Sequence, residues 1–260
     1  MINNLSADLN IMRPSMLETG LESISWNLNR KNTDLRFFEF GKTYQTESAG
    51  KYTEINHCSL YITGKNQVES WKKGSAETDF YYMKGICTSL CRLAGIEGEI
   101  TLTTNAKLST SIEIQLDKKV ILNAGEVNAM MLKKFDIRQP VFFADINWDN
   151  LVAAVKQKNI VFAELPKQNP VNRDLALIVE KSLPFERVEK AVYGIGLQKL
   201  RGLQLFDIFE SEKLGKDKKS LAISFTFLDD EKTLTDKEID GMMSRIMKTA
   251  EEELKAEIRK

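Results

Sequence analysis

The clearest pattern in the chain lies near its C-terminus, where apolar residues occupy every second position from 221 to 227. Small or polar residues fill the positions between them. This period of two is typical of a β-strand with one buried face, because successive side chains point to opposite sides of a sheet. We therefore predict a sheet whose second face is open and carries Ser220, Ala222, Ser224 and Thr226.

Five further elements are predicted around this strand. Residues 173–180 are rich in Leu, Ile and Val and predict a strand, and residues 198–212 predict another. Between them, apolar residues at helical spacing predict a helix that begins near Phe185 and ends at Gly194 to Gly196. Thr235 and Glu238 have the spacing of a capping box at the start of a second helix. With a short strand at 256–259, the order βαββαβ predicts a ferredoxin-like domain.

The first 150 residues predict an α+β module built on an antiparallel sheet. Ser15 and Glu18 have capping-box spacing before a helix, and an aromatic strand is predicted at 35–44. Further expected elements are strands at 55–63 and 140–146, a helix at 79–94, a hairpin at 112–122 and a short helix at 128–135. We expect three regions: a module at 1–150, a linker at 151–163 and the ferredoxin-like domain at 164–260.

Composition and charge narrow the classes of function. The 260 residues contain 37 basic and 37 acidic side chains, which argues against a non-specific binder of nucleic acid that relies on net charge. The three cysteines are an odd number without paired spacing, so a reducing compartment is expected. No apolar run approaches the ~18 residues of a membrane span. We therefore expect a cytoplasmic location.

Candidate catalytic residues are few. His57 is the only histidine, and no serine or cysteine nucleophile phrase accompanies it. The sequence contains neither a Walker phosphate loop nor a dinucleotide-binding fingerprint. The cysteines lack the histidine and cysteine neighbours of a zinc site. We therefore predict no catalytic residue and no metal site.

Both halves of the chain contain sequence segments that resemble those of a known family. The last hundred residues contain Asn172 to Val179, Leu205 to Phe209, Lys218 to Phe227 and Thr233 to Glu238. They resemble the anticodon-binding domain that closes the β subunit of bacterial phenylalanyl-tRNA synthetase. The first half resembles the class II synthetase-like, non-catalytic module of the same subunit. Its matching phrases are Asn3 to Ser6, Met12 to Leu17, Trp26 to Arg30, Phe38 to Gly41 with Tyr44, Asp79 to Phe80 with Lys84 to Gly85, and Gly125 to Val127.

The resemblance implies a non-catalytic role for this part of the subunit. Arg36 to Glu39 looks like the Arg-x-x-Glu core of class II motif 2, but a glycine-rich, arginine-bearing phrase for ATP is missing. In the family the active site lies on the α subunit, ATP and Mg²⁺ serve the whole enzyme, and the assembly is a heterotetramer. The implied partners are the α subunit and tRNA(Phe), with neither DNA nor a membrane. The editing and magnesium-liganding regions would precede residue 1.

We predict an RNA-binding site on the open sheet face and its edges. The phase of the second strand leaves two alternatives: Phe206 shares the open face with Ile208 as a stacking platform, or Phe206 is buried. The neighbouring lysine-rich turn would contact phosphates. The candidate residues are Arg173, Phe206, Lys218, Lys219, Ser220 and Arg259.

Two other functions remain open at this point. Ferredoxin-like domains also bind amino acids as regulatory modules, although Ser182-Leu183-Pro184 is not the glycine-rich turn that such a module favours. A pure assembly module, in which both halves only contact other subunits, is the second alternative. Fold-level analogy does not choose among these.

Overall fold

The computed structural model describes residues 11–67, 70–156, 162, 164–211 and 214–259. The chain divides into two compact units, Met1–Ile160 and Val161–Lys260. The first unit is α+β with one antiparallel sheet, as predicted. Its strands are β1 (Leu35–Ser48), β2 (Lys51–Thr63), β3 (Glu99–Asn105), β4 (Leu108–Leu116), β5 (Lys119–Val127) and β6 (Val141–Asn147). Its helices are α1 (Leu17–Leu28), α2 (Phe80–Leu93), α3 (Ala129–Lys134) and α4 (Trp148–Lys156).

The six strands lie in the order β1-β2-β6-β5-β4-β3, and every neighbouring pair is antiparallel. Successive residues of β6 point into two separate cores. Phe142 and Ala144 pack with α2 and α4, whereas Val141 and Phe143 pack with α1 and α3. The sheet is therefore covered by helices on both faces. This explains why β6 is apolar at nearly every position rather than at every second one.

The first unit differs from the prediction at two helices. α1 begins at Leu17, and its N-cap Met16 makes no side-chain capping bond. The predicted Ser15 capping box is not formed as such: the Ser15 hydroxyl accepts from the Leu17 amide at 3.2 Å, and Glu18 interacts with both Ser15 and Lys107. Residues 151–156, expected to belong to the linker, lie in α4. Trp148 and Leu151 hold this helix against the core that contains α2.

The second unit has the predicted order βαββαβ. Its elements are β7 (Val171–Glu180), α5 (Phe185–Gly194), β8 (Leu200–Phe209), β9 (Lys218–Phe227), α6 (Asp236–Leu254) and β10 (Glu257–Arg259). The strands lie in the order β10-β7-β9-β8, all antiparallel. Leu177, Ile223 and Phe225 from the sheet form one core with residues of both helices, including Val188 and Ile246. Because both helices contribute to this single core, neither α5 nor α6 covers the other face of the sheet.

Both ends of α6 are fixed by local bonds. At its start, the Thr235 hydroxyl accepts from the Glu238 backbone amide, and the Glu238 carboxylate accepts from the Thr235 amide. This is the predicted capping box. At its end, Lys255 adopts a left-handed conformation with φ 51°, which turns the chain directly into β10. The last strand therefore pairs with β7 at the edge of the sheet.

Candidate nucleic-acid interface

The open face of the four-stranded sheet has a floor of small side chains. In β9, Leu221, Ile223, Phe225 and Phe227 are buried in the core, as predicted, and the residues between them point away from it. Ala222 lies directly opposite Ala176 of β7, and cross-strand neighbours of this kind share a face. Ser224 and Thr226 continue the floor and are half-buried. The backbone of this face is therefore approachable by a flat ligand.

Two carboxylates stand on either side of this floor. Asp174 is paired with Ser224 from the β7 side, and Asp207 is paired with Ala222 from the β8 side. Gln204 lies opposite Ser224 and is exposed like both aspartates. Carboxylate oxygens only accept hydrogen bonds, so they suit the amino groups of nucleobases and repel phosphates. The described floor is thus bordered by hydrogen-bond acceptors and by the amide of Gln204.

Phe206 lies in a β-bulge that neither predicted phase describes. The register of β8 and β9 shifts between Leu205, which pairs with Ile223, and Asp207, which pairs with Ala222. Phe206 is the extra residue, and it is 56% exposed. Ile208 pairs with Leu221, so it follows the core side of the sheet instead of the open face. A bulge breaks the alternation of a strand, which is why phase counting fails here.

Ser220 is the predicted site residue that the structure contradicts. Its side chain is buried, with 4% of the residue exposed, although it follows the open face in sequence. The reason is its neighbours. Ile178 lies opposite Ser220 on β7 and Phe209 lies opposite it on β8. These two large side chains flank the serine, so it supports them and is not itself available to RNA.

The predicted cationic residues do not form one cluster. Lys218 is on the open face and forms an ion pair with Glu257 of β10. The Lys219 ammonium donates to the backbone oxygen of Lys181 at 2.9 Å. Arg173 pairs with Phe225, which places it on the helix side, and its guanidinium lies 2.9 Å from the Asp236 carboxylate.

Arg259 completes the predicted set. It closes β10 opposite Ala176 on the open face, and its side chain lies outside the described residues. Of the predicted residues, only Phe206 and Lys218 are therefore described as exposed or half-buried next to the floor. The sequence prediction missed Asp174, Gln204 and Asp207. Asp174 precedes the buried Leu175 in the alternating pattern of β7, so that pattern could have predicted that Asp174 faces away from the core. The bulge at Phe206 shifts the alternation of β8, so the pattern could not have placed Asp207.

In the first unit, the phrase that resembles class II motif 2 is engaged within the protein. The Arg36 guanidinium donates to the backbone oxygen of Lys65 at 2.9 Å and to that of Asn66. Glu39 accepts from the Arg13 guanidinium at 2.7 Å. Both charged positions of the phrase thus have internal partners. This arrangement leaves Arg36 holding a loop instead of presenting its charge to a ligand.

His57 is buried and holds three strands together. Its Nδ1 lies 3.0 Å from Asp145, which also accepts a 2.7 Å bond from the Ser59 hydroxyl. The other ring nitrogen contacts Thr43. The imidazole thus joins β1, β2 and β6, and both of its ring nitrogens have protein partners. This arrangement indicates a structural role for His57. Within the described residues, no group of three or more acidic, histidine or cysteine side chains is placed to bind a metal, and no helix is suited to crossing a membrane.

Comparison with known proteins agrees with this geometry. Residues 1–148 match the family model described as "Phenylalanyl tRNA synthetase beta chain CLM domain", and residues 166–259 match "Ferredoxin-fold anticodon binding domain". The phenylalanine–tRNA ligase β subunit of Bacteroides fragilis is 36% identical over 271 residues, covering 100% of this chain and 33% of that protein. The corresponding subunit of Streptococcus pneumoniae is 30% identical over 263 residues, covering 98% and 32%.

The chain therefore spans about a third of the length of these curated relatives. Among solved structures, a pyrrolysyl-tRNA synthetase from Desulfitobacterium hafniense aligns with a TM-score of 0.42 and 15% identity, over 56% of this chain and 50% of that one. The family models cover both units in the predicted order, so the predicted resemblance is confirmed. The chain belongs to the family of phenylalanyl-tRNA synthetase β chains.

Proposed function

We propose that the second unit binds the anticodon region of tRNA(Phe) on the open face of its sheet. The observation that carries this proposal is the floor of Ala176, Ala222 and Ser224, which neither α5 nor α6 covers, between Asp174 and Asp207. Unpaired bases in an anticodon loop can be splayed out and read by their edges. The small floor admits a base, and the carboxylates accept hydrogen bonds from its amino groups.

The charges around the open face favour contact with the bases of the RNA over contact with its phosphates. The two aspartates repel phosphates, so the RNA backbone is held away from the floor and towards cations at the margin. Lys218 is one such cation, and it reaches a phosphate only by leaving Glu257. Phe206 and Phe209 are about half exposed beside the floor and supply aromatic surface for stacking. Binding thus depends on shape and local contacts, in keeping with a chain of zero net charge.

For the first unit, we propose an assembly role without catalysis. Arg36 and Glu39 are engaged internally, so the motif 2-like phrase does not hold ATP. The active site would lie on the α subunit of a cytoplasmic heterotetramer, which would use ATP and Mg²⁺. Phe38 and Phe40 are 70% and 57% exposed on the edge strand β1, and they supply apolar surface for contact with that subunit. Measurable ATP binding by this chain alone, in a calorimetric titration, would contradict the non-catalytic role.

The RNA-binding proposal is tested by filling the floor. Ser224→Leu places a large side chain on the open face, away from the core, and we expect affinity for tRNA(Phe) to fall about tenfold or more through lost base contacts. The matched control is Ser244→Leu, at an exposed position of α6 on the helix side. A tRNA(Phe) transcript with a replaced anticodon should bind wild type as weakly as the native transcript binds Ser224→Leu. If wild type binds both transcripts with the same affinity, and Ser224→Leu binds the native transcript equally well, the proposal is overturned.

The amino-acid-sensing alternative has its own readout. A ligand that binds the native state and not the unfolded chain raises the melting temperature, and the stabilisation grows with the logarithm of its concentration divided by its dissociation constant. We expect free phenylalanine to leave the melting temperature of this chain unchanged. A clear increase would favour a regulatory domain over a tRNA-binding one.

A further inference from the structure

Between β2 and α2 the chain makes a small excursion whose two ends are bridged to each other, and we call its described residues, 64–67 and 70–78, the finger. Residues 68 and 69 within it lie outside the described residues. Its base is closed by a bridge between Lys65 and Glu77 and by a 2.9 Å bond from the Asn66 amide to the Ala76 oxygen. At its tip, the Ser70 and Lys73 backbones bond to each other at 2.9 and 3.2 Å. The two residues between them form a tight turn.

The tip of the finger carries one aromatic and two cationic side chains. Trp71, the first residue of the turn, is 97% exposed. Lys72 and Lys73 follow it and are exposed, and neither has an ion pair within the described part of the chain. Trp26 and Trp148 differ, because Arg30 covers the first and the second packs against Phe40. Trp71 is thus the one tryptophan of the described residues that is held almost entirely in water.

The base of the finger is fixed to the body of the first unit. Arg36 donates to the backbone oxygens of Lys65 and Asn66, and its guanidinium lies 6.0 Å from the centre of the Tyr82 ring. The Asp34 carboxylate accepts from the Lys65 amide at 2.8 Å. These bonds fix Lys65 and Asn66, so the base of the finger is held against the rest of the first unit.

We propose that the finger is a second RNA contact, in which Trp71 stacks on an unpaired base while Lys72 and Lys73 contact the neighbouring phosphates. A single aromatic platform beside lysines is the combination used to bind single-stranded nucleic acid. Tryptophan alone would also suit a protein partner, since it is enriched at protein interfaces. Lysine is depleted at such interfaces, so the two lysines of this tip favour RNA over a protein partner. The inference rests on the proposed function for the identity of the RNA, and it adds a contact in the first unit.

The experiment measures binding of the 260-residue chain to tRNA(Phe) over a range of salt concentrations. Trp71→Ala should weaken binding about fivefold to a hundredfold, since one stacked base contributes about 1–3 kcal/mol. Trp71→Phe keeps a ring and should restore most of the affinity. The double variant K72A/K73A should make the salt slope shallower by about two, about one unit for each lost phosphate contact. The matched control, K51A/Y52A, removes an exposed lysine and an aromatic residue at the tip of the β1–β2 hairpin and should change neither quantity.

Failure of this inference is distinguishable from failure of the proposed function. If Ser224→Leu abolishes tRNA binding while Trp71→Ala and K72A/K73A bind like wild type, the finger contact is wrong and the open face stands. If Ser224→Leu has no effect, the finger is tested alone with a single-stranded oligonucleotide, where a loss with Trp71→Ala supports it and equal binding overturns it. An effect of Trp71→Ala confined to association with the α subunit would also overturn it, in favour of a protein contact.

Discussion

The Nε2 atom of His57 lies 2.8 Å from the Oγ1 atom of Thr43, and both residues are buried at 9% and 3% exposure. Thr43→Val keeps the shape of the side chain and removes the hydroxyl, which leaves a ring nitrogen without its partner. We expect the free energy of unfolding to fall by about 1–3 kcal/mol in a urea titration. The control Thr46→Val, at an exposed position of the same strand, should change it by less than about 0.5 kcal/mol. Equal effects would contradict a structural role for this contact.

Gly20 and Gly85 make a matched pair for helix packing. Both lie inside helices, but a Cβ at Gly20 would stand 2.0 Å from the Tyr61 ring, and a Cβ at Gly85 meets no atom within 4 Å. Tyr61 is held in place because its hydroxyl donates to the Met16 oxygen at 2.6 Å. Gly20→Ala should therefore destabilise the first unit by about 1–3 kcal/mol.

Gly85→Ala should have the opposite sign. Alanine is favoured over glycine in a helix by about 1 kcal/mol, and nothing opposes it at this site. Thermal unfolding of both variants checks the pair. A stabilised Gly20→Ala would show that Tyr61 moves aside.

Glu238 links the capping box to the pH dependence of stability. Hydrogen bonds from Lys232, and then from the Thr235 amide and hydroxyl, lower the pKa of this carboxyl from 4.5 to about 2. A carboxyl whose pKa is lowered by folding contributes stability that is complete above its unfolded value. That contribution is lost as the pH falls from about 4.5 towards 2.

Glu238→Gln should therefore lower stability at neutral pH and flatten the fall in stability across that window. Unfolding free energies of both proteins, measured from pH 7 to pH 2, test this. Glu251→Gln, at an exposed position of the same helix, is the control. A variant curve parallel to that of wild type would show that the capping box does not govern acid stability.

The ion pair between Lys218 and Glu257 engages a cation at the margin of the open face. The Lys218 ammonium donates a hydrogen bond to the Glu257 carboxylate, which raises the pKa of the ammonium, so the lysine is charged at neutral pH. Glu257→Gln removes the competing carboxylate. If Lys218 contacts a phosphate, tRNA(Phe) should bind more tightly to this variant, and Lys218→Ala should make the salt slope shallower by about one. Unchanged binding by both variants would remove Lys218 from the interface.

The sequence predicts elements well where local pattern and packing agree. β9 has one buried face, so its alternation is visible, and Thr235 with Glu238 forms the capping box that its spacing indicates. The same spacing at Ser15 and Glu18 does not give a capping box, because the helix takes Met16 as its N-cap and Glu18 also pairs with a lysine 89 residues away. Such a partner exists only in the folded chain.

Two features of the candidate site are hidden from the sequence for similar reasons. The bulge at Phe206 is an extra residue on one strand, and nothing in the apolar pattern of β8 marks it. The burial of Ser220 depends on Ile178 and Phe209, which belong to neighbouring strands. β3 is also not predicted, because its mixture of threonine and half-buried residues at the sheet edge lacks a clear alternation. In each case the outcome is set by residues that are distant in sequence.

Arg36 has two mutually exclusive uses. Its guanidinium grips the carbonyl oxygens of Lys65 and Asn66, which are the first residues of the finger after Gly64. Any rearrangement that turned this arginine towards a bound phosphate would break both bonds. The same side chain therefore cannot serve such a ligand and hold the base of the finger at once, and a change that freed it would loosen the segment that carries Trp71.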